Sequence, residues 1–343
     1  MSYHAEVVLA TRHKTVADTL LRKGEAPTAY TFKLRYPRII HAEMMTHRIH
    51  GTQPAWEYDL PLGLMYDSDL SRNTSSSRAI PTPRLLQDVV DWPYEPWYWG
   101  KNQSGMAAAE ELGPFERETA IQIWRDHRKA SIDAAMKLHH LGAHKQLANR
   151  LIEVHGWITV VMTTTNLTNF LVLREDAGAM PEIRRLAEMV RAASDTASIQ
   201  DLAPGEWHLP FIDRDVDVDL LPSRPKNWQP AATIFIENTR YMDAAWFDEC
   251  LRKVSVARCA RTSYLSNVTG KRSTLAEDIE LHDKLLKFLP IHASPAEHQL
   301  TPDRFDLIAA DAEMGSVMFH RPSLHGNMNG FIQYRKLIPN ECQ

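Results

Sequence analysis

Ser71–Arg72–Asn73–Thr74–Ser75–Ser76–Ser77–Arg78 sets small hydroxyl residues and two arginines around one asparagine, with no apolar residue among them. Such a stretch makes a poor core segment and a good cradle for a phosphate. Hydroxyls and backbone N–H groups donate to the oxygens, and a guanidinium forks onto two of them. The same composition also describes a solvated Ser-rich loop. Spacing separates the two readings: Ser71, Asn73, Ser76 and Arg78 spell S-x-N-x-x-S-x-R, and His47–Arg48 lie upstream, beyond residues 49–70.

The chain of 343 residues is long enough for one large domain or two smaller ones. Its 44% hydrophobic and 24% charged residues are ordinary for a soluble globular protein. A net charge of −4 lacks the electrostatic footprint of a binder of long nucleic acid. A mononucleotide remains compatible, because it needs one local arginine cluster and not a basic face. Cys250, Cys259 and Cys342 show no C-x-x-C spacing, which suggests reduced thiols in a cytoplasmic setting. No apolar run resembles a signal peptide or a membrane span, so the expectation is a soluble cytoplasmic protein without a membrane partner.

Moving outward along the chain, Ala5–Thr11 reads as a strand, Thr15–Arg22 as a short helix and Thr31–Tyr36 as a half-buried strand with Phe32, Leu34 and Tyr36 on one face. Pro37 suits the first turn of a helix carrying Ile39, Ile40, Met44 and Met45, which runs into Thr46–His47–Arg48. Residues 81–105 are rich in aromatics (Trp92, Tyr94, Trp97, Tyr98, Trp99) and read as a packed irregular insertion more readily than as a platform for a pterin. Pro114–Leu141 has the stripe of a long helix, with Gly142 placed to cap it. His140 and His144 lack the neighbouring carboxylates of a metal motif and read as surface or packing histidines. Residues 200–235, with Asp213, Asp215, Asp217 and Asp219, read as a connecting segment with little regular structure. Cys259 reads as a core residue. The loop His325–Gly330 ahead of Gln333–Lys336 either closes over a ligand or turns the chain.

Several blocks resemble one family, the flavin-dependent thymidylate synthases. The His-Arg pair and S-x-N-x-x-S-x-R are similar to that family's R-H-R-x-x-S-x-N-x-x-S-x-R signature, with Thr46 in place of the first arginine. Ala148–Asn149–Arg150 resembles its A-R segment, and Asn166–Arg174 resembles N-x-x-x-F-L-x-L-R. Ala260–Arg261–Thr262–Ser263–Tyr264 resembles A-R-x-S-[YF], and His292–His298 resembles H-x-[ST]-P-F-E-H with Ala296 in place of Phe. The last two belong near the family's N-terminus yet follow the others here. The resemblance therefore implies a circular permutation, a rearrangement that is physically cheap where termini lie close on the surface. On this reading residues 1–200 form the family's C-terminal portion with an insertion at about 80–140, 201–240 connect, and 241–343 form its N-terminal portion within the same domain. The fold class is α+β, a central and mostly antiparallel sheet flanked by helices.

The resemblance implies transfer of a one-carbon unit from 5,10-methylenetetrahydrofolate to C5 of a deoxypyrimidine monophosphate. FAD would serve as cofactor, its reduced form supplying the hydride and NADPH reloading it, with a homotetramer as the assembly. By carry-over, Ser76 and Arg78 hold the nucleotide phosphate, Arg150 assists, and Arg174 binds the base. His47, Arg48, Asn73, Ser263, His292, Ser294 and Glu297 line the FAD, and Asn169 touches the flavin ring. The catalytic candidates are Arg174, Ser76 and Glu43. Departures bear on the substrate: Glu43 stands for Gln, Thr74 for Glu, and Gly178–Ala179–Met180 for H-A-Q. A carboxylate accepts from the N4 amine of cytosine, where uracil offers a carbonyl. Methylation of dUMP to dTMP is the first reading. The second is hydroxymethylation of dCMP or dUMP, of use to a virus that modifies its DNA and acting then in the host cytoplasm. A nucleotide- or flavin-binding protein without turnover is the third, favoured by Thr46 and Thr74.

Overall fold

Apolar and polar residues alternate from Thr31 to Tyr36, and the run lies at the centre of the molecule beside Trp157–Thr164. The computed structural model describes residues 3–19, 26–46, 70–74, 76–104, 107–227, 242–265, 270–307 and 317–341. His47, Arg48, Cys342 and the side chain of Thr46 lie outside them.

In chain order the elements are strand His4–His13 (β1), helix Lys14–Thr19 (α1), strand Thr28–Pro37 (β2), helix His41–Thr46 (α2) and strand Leu70–Thr74 (β3). Helices Thr82–Asp91 (α3), Pro114–His140 (α4) and Lys145–Ala148 (α5) follow, then a 3-10 stretch Asn149–His155 and strand Trp157–Thr164 (β4). Next come Thr168–Arg174 (α6), Pro181–Asp195 (α7), strand Ile199–Leu202 (β5) and the single turn Arg214–Asp217 (α8). The remainder holds Met242–Arg261 (α9), Leu275–Leu286 (α10) and the short strands Leu300–Pro302 (β6), Phe305–Leu307 (β7), Val317–Phe319 (β8) and Phe331–Gln333 (β9).

Five strands form a mixed sheet in the order β3-β4-β2-β1-β5. Every neighbouring pair is antiparallel except β1 with β5. Successive residues of a strand face opposite sides, so β2 sends Phe32, Leu34 and Tyr36 to one layer and Lys33 and Arg35 to the other. The first layer is a core: those three residues pack with Ile158, Val160 and Met162 of β4, Met44 of α2, Phe170 and Leu171 of α6, and Ile183, Leu186, Ala187 and Val190 of α7. Pro181 opens α7 at the position where a missing N–H costs nothing.

The second layer is built by α9, α10 and the segment around Phe211. Val161 of β4 meets Phe211 and Cys259 there, and burial pushes the Cys259 thiol up. Arg258 of α9 is fully buried. It forks onto Asp217 at 2.6 and 3.0 Å, donates to Asp278 at 2.9 Å and reaches the Phe211 carbonyl at 2.8 Å. An interior charge is tolerated only when paired in this way. The acidic segment expected merely to connect thus supplies a buried anchor. Its alternating Asp/Val pattern does not reveal which aspartate meets an arginine some forty positions downstream. Thr274 and Glu277 form a capping box that starts α10.

A third body packs at the end of the sheet where β4 begins, with Leu85, Leu86 and Val89 of α3 against Ala135 of α4 and Ile152. The aromatic run is packed against it: Trp124 donates to the Tyr94 carbonyl at 3.1 Å, and Tyr94 donates to Glu182 of α7 at 2.8 Å. Helix α4 ends at His140, and Gly142 follows at φ 79°, where glycine is favoured. The hydroxyl-rich stretch itself is not one loop. Residues 70–74 pair with β4 and close an edge whose backbone groups would otherwise stand unpaired.

Candidate functional site

Strand β3 places Asn73 opposite Val161, on the same side as Lys33 and Arg35. Its amide Nδ2 donates to His298 Nε2 at 3.0 Å, and its Oδ1 accepts from Ser294 Oγ at 3.1 Å. His298 Nδ1 lies 2.8 Å from Thr163 Oγ1, which lies 2.6 Å from Thr31 Oγ1. Thr31 continues to His208 Nε2 at 2.8 Å, and His208 Nδ1 reaches Thr11 Oγ1 at 2.8 Å. One hydrogen-bonded chain therefore runs across β3, β4, β2 and β1, bridged by two buried histidines.

The chain has one polarity. Because Asn73 donates to Nε2 of His298, that histidine carries its proton on Nδ1 and donates to Thr163. Thr163 then donates to Thr31, Thr31 to His208, and His208 to Thr11. Burial pushes both imidazoles down to about 3, with His298 adding to the effect on His208, so both are neutral near pH 7.

Beside this chain lies a cavity of about 410 Å³. Lys33, Arg35 and Thr159 of the sheet form its floor, α3 contributes Arg84 and Asp88, and Ser76 enters from the turn after β3. Arg261 and Ser263, at the end of α9, close the other side. Asn149 positions the turn: its side chain is buried and donates to the carbonyls of Ser77 at 2.7 Å and Ile80 at 3.0 Å. Ser263 is brought in by Thr262, a β-branched residue at φ 57°, a conformation costing on the order of 1–3 kcal/mol. The Nε atoms of Arg35 and Arg261 are buried with no hydrogen-bond partner. Arg261 otherwise donates to Ser273 and Asp278. Burial lowers the Arg35 pKa, and Asp88 counters it.

The residues singled out from the sequence fall into two groups. Asn73 and Ser294 are hydrogen-bonded, and Ser76 and Ser263 line one cavity. Glu297 is bound to Arg335, and the backbone N–H of His292 donates to Leu285 at the end of α10 at 2.8 Å. Arg78 is exposed on the turn, with its backbone N–H donating to Ser76 Oγ at 3.3 Å. Arg150 places Nη1 3.0 Å from both oxygens of Glu153, which also takes Arg38 at 2.9 Å. Neither Arg78 nor Arg150 lines the cavity. Across the sheet, in the Phe32 layer, Arg174 at the end of α6 stands 3.5 Å from Glu43 of α2, and Asn169 lies in the first turn of the same α6. His47 and Arg48 lie outside the described residues.

Sequence reasoning missed Lys33, Arg35, Arg84 and Arg261 as a group, and His208, His298 and Asn149 as positioning residues. Lys33 and Arg35 left a signal as charges on a central strand whose two faces are both covered, and Asn149, Arg261 and His298 stood inside quoted motif blocks without a role being given to them; Arg84 and His208 left none.

No protein-family model matches the chain, and no curated protein matches it. Among solved structures it is similar to a UMP/dUMP methylase, PolB, from Streptomyces cacaoi. With 5-Br UMP bound, that enzyme is 16% identical over 57% of this chain and 89% of its own, at a TM-score of 0.40. With 5-Br dUMP bound, the values are 13%, 56%, 90% and 0.36. Likenesses this weak carry nothing about the chemistry of this chain. Among the described residues no three metal-binding side chains cluster, and no helix is long and apolar enough to cross a membrane.

Proposed function

We propose that the protein is a circularly permuted relative of the flavin-dependent thymidylate synthases, transferring a one-carbon unit to C5 of a deoxypyrimidine monophosphate. One observation carries the reading. Motif residues far apart in the chain and in the wrong order for the family meet in space: Asn73 bonds Ser294 and His298, and Ser76 shares a cavity with Ser263. A chance match to short motifs has no reason to bring them together.

The residues fit a phosphate-bearing cofactor. The donors at the cavity are the hydroxyls of Ser76 and Ser263 and the guanidinium groups of Arg35 and Arg261, whose Nε atoms lack acceptors. Asn73, Ser263 and Ser294 would hold FAD, which when bound supplies the hydride that completes the methyl group. Asn73, fixed by His298, keeps its carbonyl toward Ser294 and so orients that hydroxyl. Ser76 would bind the substrate phosphate. Arg174 would meet the carbonyl edge of the base, with Glu43 holding the guanidinium in place.

That pairing supports the second reading as well. Because Glu43 stands at the Arg174 guanidinium, a base that meets Arg174 also meets a carboxylate. This suits the N4 amine of cytosine better than the O4 of uracil, and so a dCMP hydroxymethylase. The test is incubation with FAD, NADPH and methylenetetrahydrofolate, offering dUMP and dCMP separately and weighing the nucleotide products. A gain of CH2 on dUMP supports thymidylate synthesis, and a gain of CH2O on dCMP supports hydroxymethylation. Failure to bind flavin or to alter either nucleotide refutes both.

A further inference from the structure

We propose that the cavity between β2, α3 and the end of α9 is a phosphoryl-binding site whose anchoring cations are Lys33, Arg35, Arg84 and Arg261, ahead of the motif arginines Arg78 and Arg150. The inference names the group that anchors a ligand in this cavity. It rests on the reading above only for the identity of that ligand.

Three observations converge. The lining brings four cationic side chains against one carboxylate, Asp88. Lys33 and Arg35 are two positions apart on one face of a central strand, so they stand on the order of 7 Å apart. Like charges that close, under a helical layer, repel each other unless something between them is negative. Second, donors remain unspent. Among the described residues Lys33, Arg35 and Arg84 form no ion pair; Arg261 is paired with Asp278 through Nη2, but its Nε, like that of Arg35, is buried without a partner. Buried polar groups in folded proteins are nearly always satisfied, and an exception points to a missing acceptor. Third, the two arginines expected at the phosphate are disposed otherwise: Arg78 is exposed outside the cavity, and Arg150 is engaged by Glu153.

A phosphate monoester answers all three. It brings about two negative charges and three acceptor oxygens, geometry that a guanidinium matches with paired N–H bonds. The hydroxyls of Ser76 and Ser263 add neutral donors at the same wall. The volume of about 410 Å³ lies near the lower end of small-ligand clefts. The phosphoryl group belongs either to a nucleotide substrate or to a flavin.

Calorimetric titration of the full chain with dUMP, dCMP, FAD, FMN and unphosphorylated deoxyuridine tests this without turnover. At least one phosphorylated ligand is expected to bind, and deoxyuridine to bind more weakly than dUMP. Arg35→Gln and Lys33→Gln should each weaken the phosphorylated ligand about ten- to a hundredfold, the worth of one charge-assisted hydrogen bond. Arg78→Gln should weaken it less. Arg84→Gln, on the exposed side of α3, gives a second variant with little risk to folding and should also lose affinity. Arg35→Lys should recover part of the loss, as a merely structural role would not. A loss confined to dUMP or dCMP assigns the phosphoryl group to the substrate, and a loss confined to FAD or FMN assigns it to the flavin. Binding as in the parent by Arg35→Gln, Lys33→Gln and Arg84→Gln, or a greater loss in Arg78→Gln, overturns the proposal. So does a parent protein that binds none of the phosphates. Phosphate affinity in a protein without one-carbon transfer refutes the reaction while leaving the cavity's assignment intact.

Discussion

Asn73 sets the protonation of a whole row of side chains through a single amide. Its Nδ2 faces the lone pair of His298 Nε2, and each later donor follows from that choice. An aspartate there would present an acceptor in place of a donor. In Asn73→Asp, His298 Nε2 is therefore expected to gain a proton. Nitrogen-15 shifts of a histidine-labelled sample read this directly, since protonated and lone-pair imidazole nitrogens are well separated. An unprotonated Nε2 in that variant would contradict the assigned polarity. Little of this was legible beforehand. Asn73 and Ser294 stood out as motif positions, but His208 belongs to no motif, and Thr11 and Thr31 look like ordinary strand threonines until the register is known.

At the level of elements, legibility tracked how one-sided each pattern is. Strand β2 alternates cleanly, and α4 has a stripe bounded by Pro114 and Gly142, so both were readable. Strand β4 is buried along most of its length, which blurs its alternation, and the hydroxyl residues of β3 mask a strand that exists because β4 needs a partner. The aromatic segment shows a different limit, since composition says that it packs and not what it grips. The structure supplies the grip, because the Tyr94 hydroxyl donates to Glu182 and both side chains are buried. Tyr94→Phe leaves that carboxylate without its donor while keeping the ring. A loss of about 1–3 kcal/mol is expected, read as a lower urea midpoint. An unchanged midpoint would show that the insertion is held by apolar packing alone.

For the molecule as a whole, the two groups of expected site residues lie on opposite faces of one sheet. Ser76 is in the cavity layer, and Arg174 with Glu43 is in the Phe32 layer. A single reaction that uses both would, on the proposed reading, draw them from different copies of the chain. Ser76→Ala and Arg174→Ala proteins, each inactive alone, are therefore expected to regain activity when mixed under conditions that let subunits exchange. Mixtures that stay inactive would mean that the two groups do not serve a shared site.

Acid should also act on the whole molecule. The buried His208 and His298 titrate at about 3 when folded and near 6.5 when unfolded. Between those values the unfolded chain binds more protons, so stability is full above about 6.5 and is lost as pH falls toward 3. Each imidazole contributes a slope of up to about 1.4 kcal/mol per pH unit in that window. Urea midpoints measured from pH 7 to pH 4.5 should fall steadily, and His208→Gln should flatten the fall. A flat profile in the parent would refute the neutral, buried state of both rings.

The row from Thr11 to Ser294 also has a meaning for anyone redesigning this protein. Replacing Thr163 by valine strands the His298 proton, and replacing His208 by phenylalanine strands two hydroxyls at once. Single-site libraries would score these positions as intolerant one by one, and homologue-style swaps would fail for the same reason. Positions 11, 31, 73, 163, 208 and 298 are bonded in one row, so each constrains its neighbours. Substitution is expected to succeed there only when several members change together, since each removal strands the next donor or acceptor in the row.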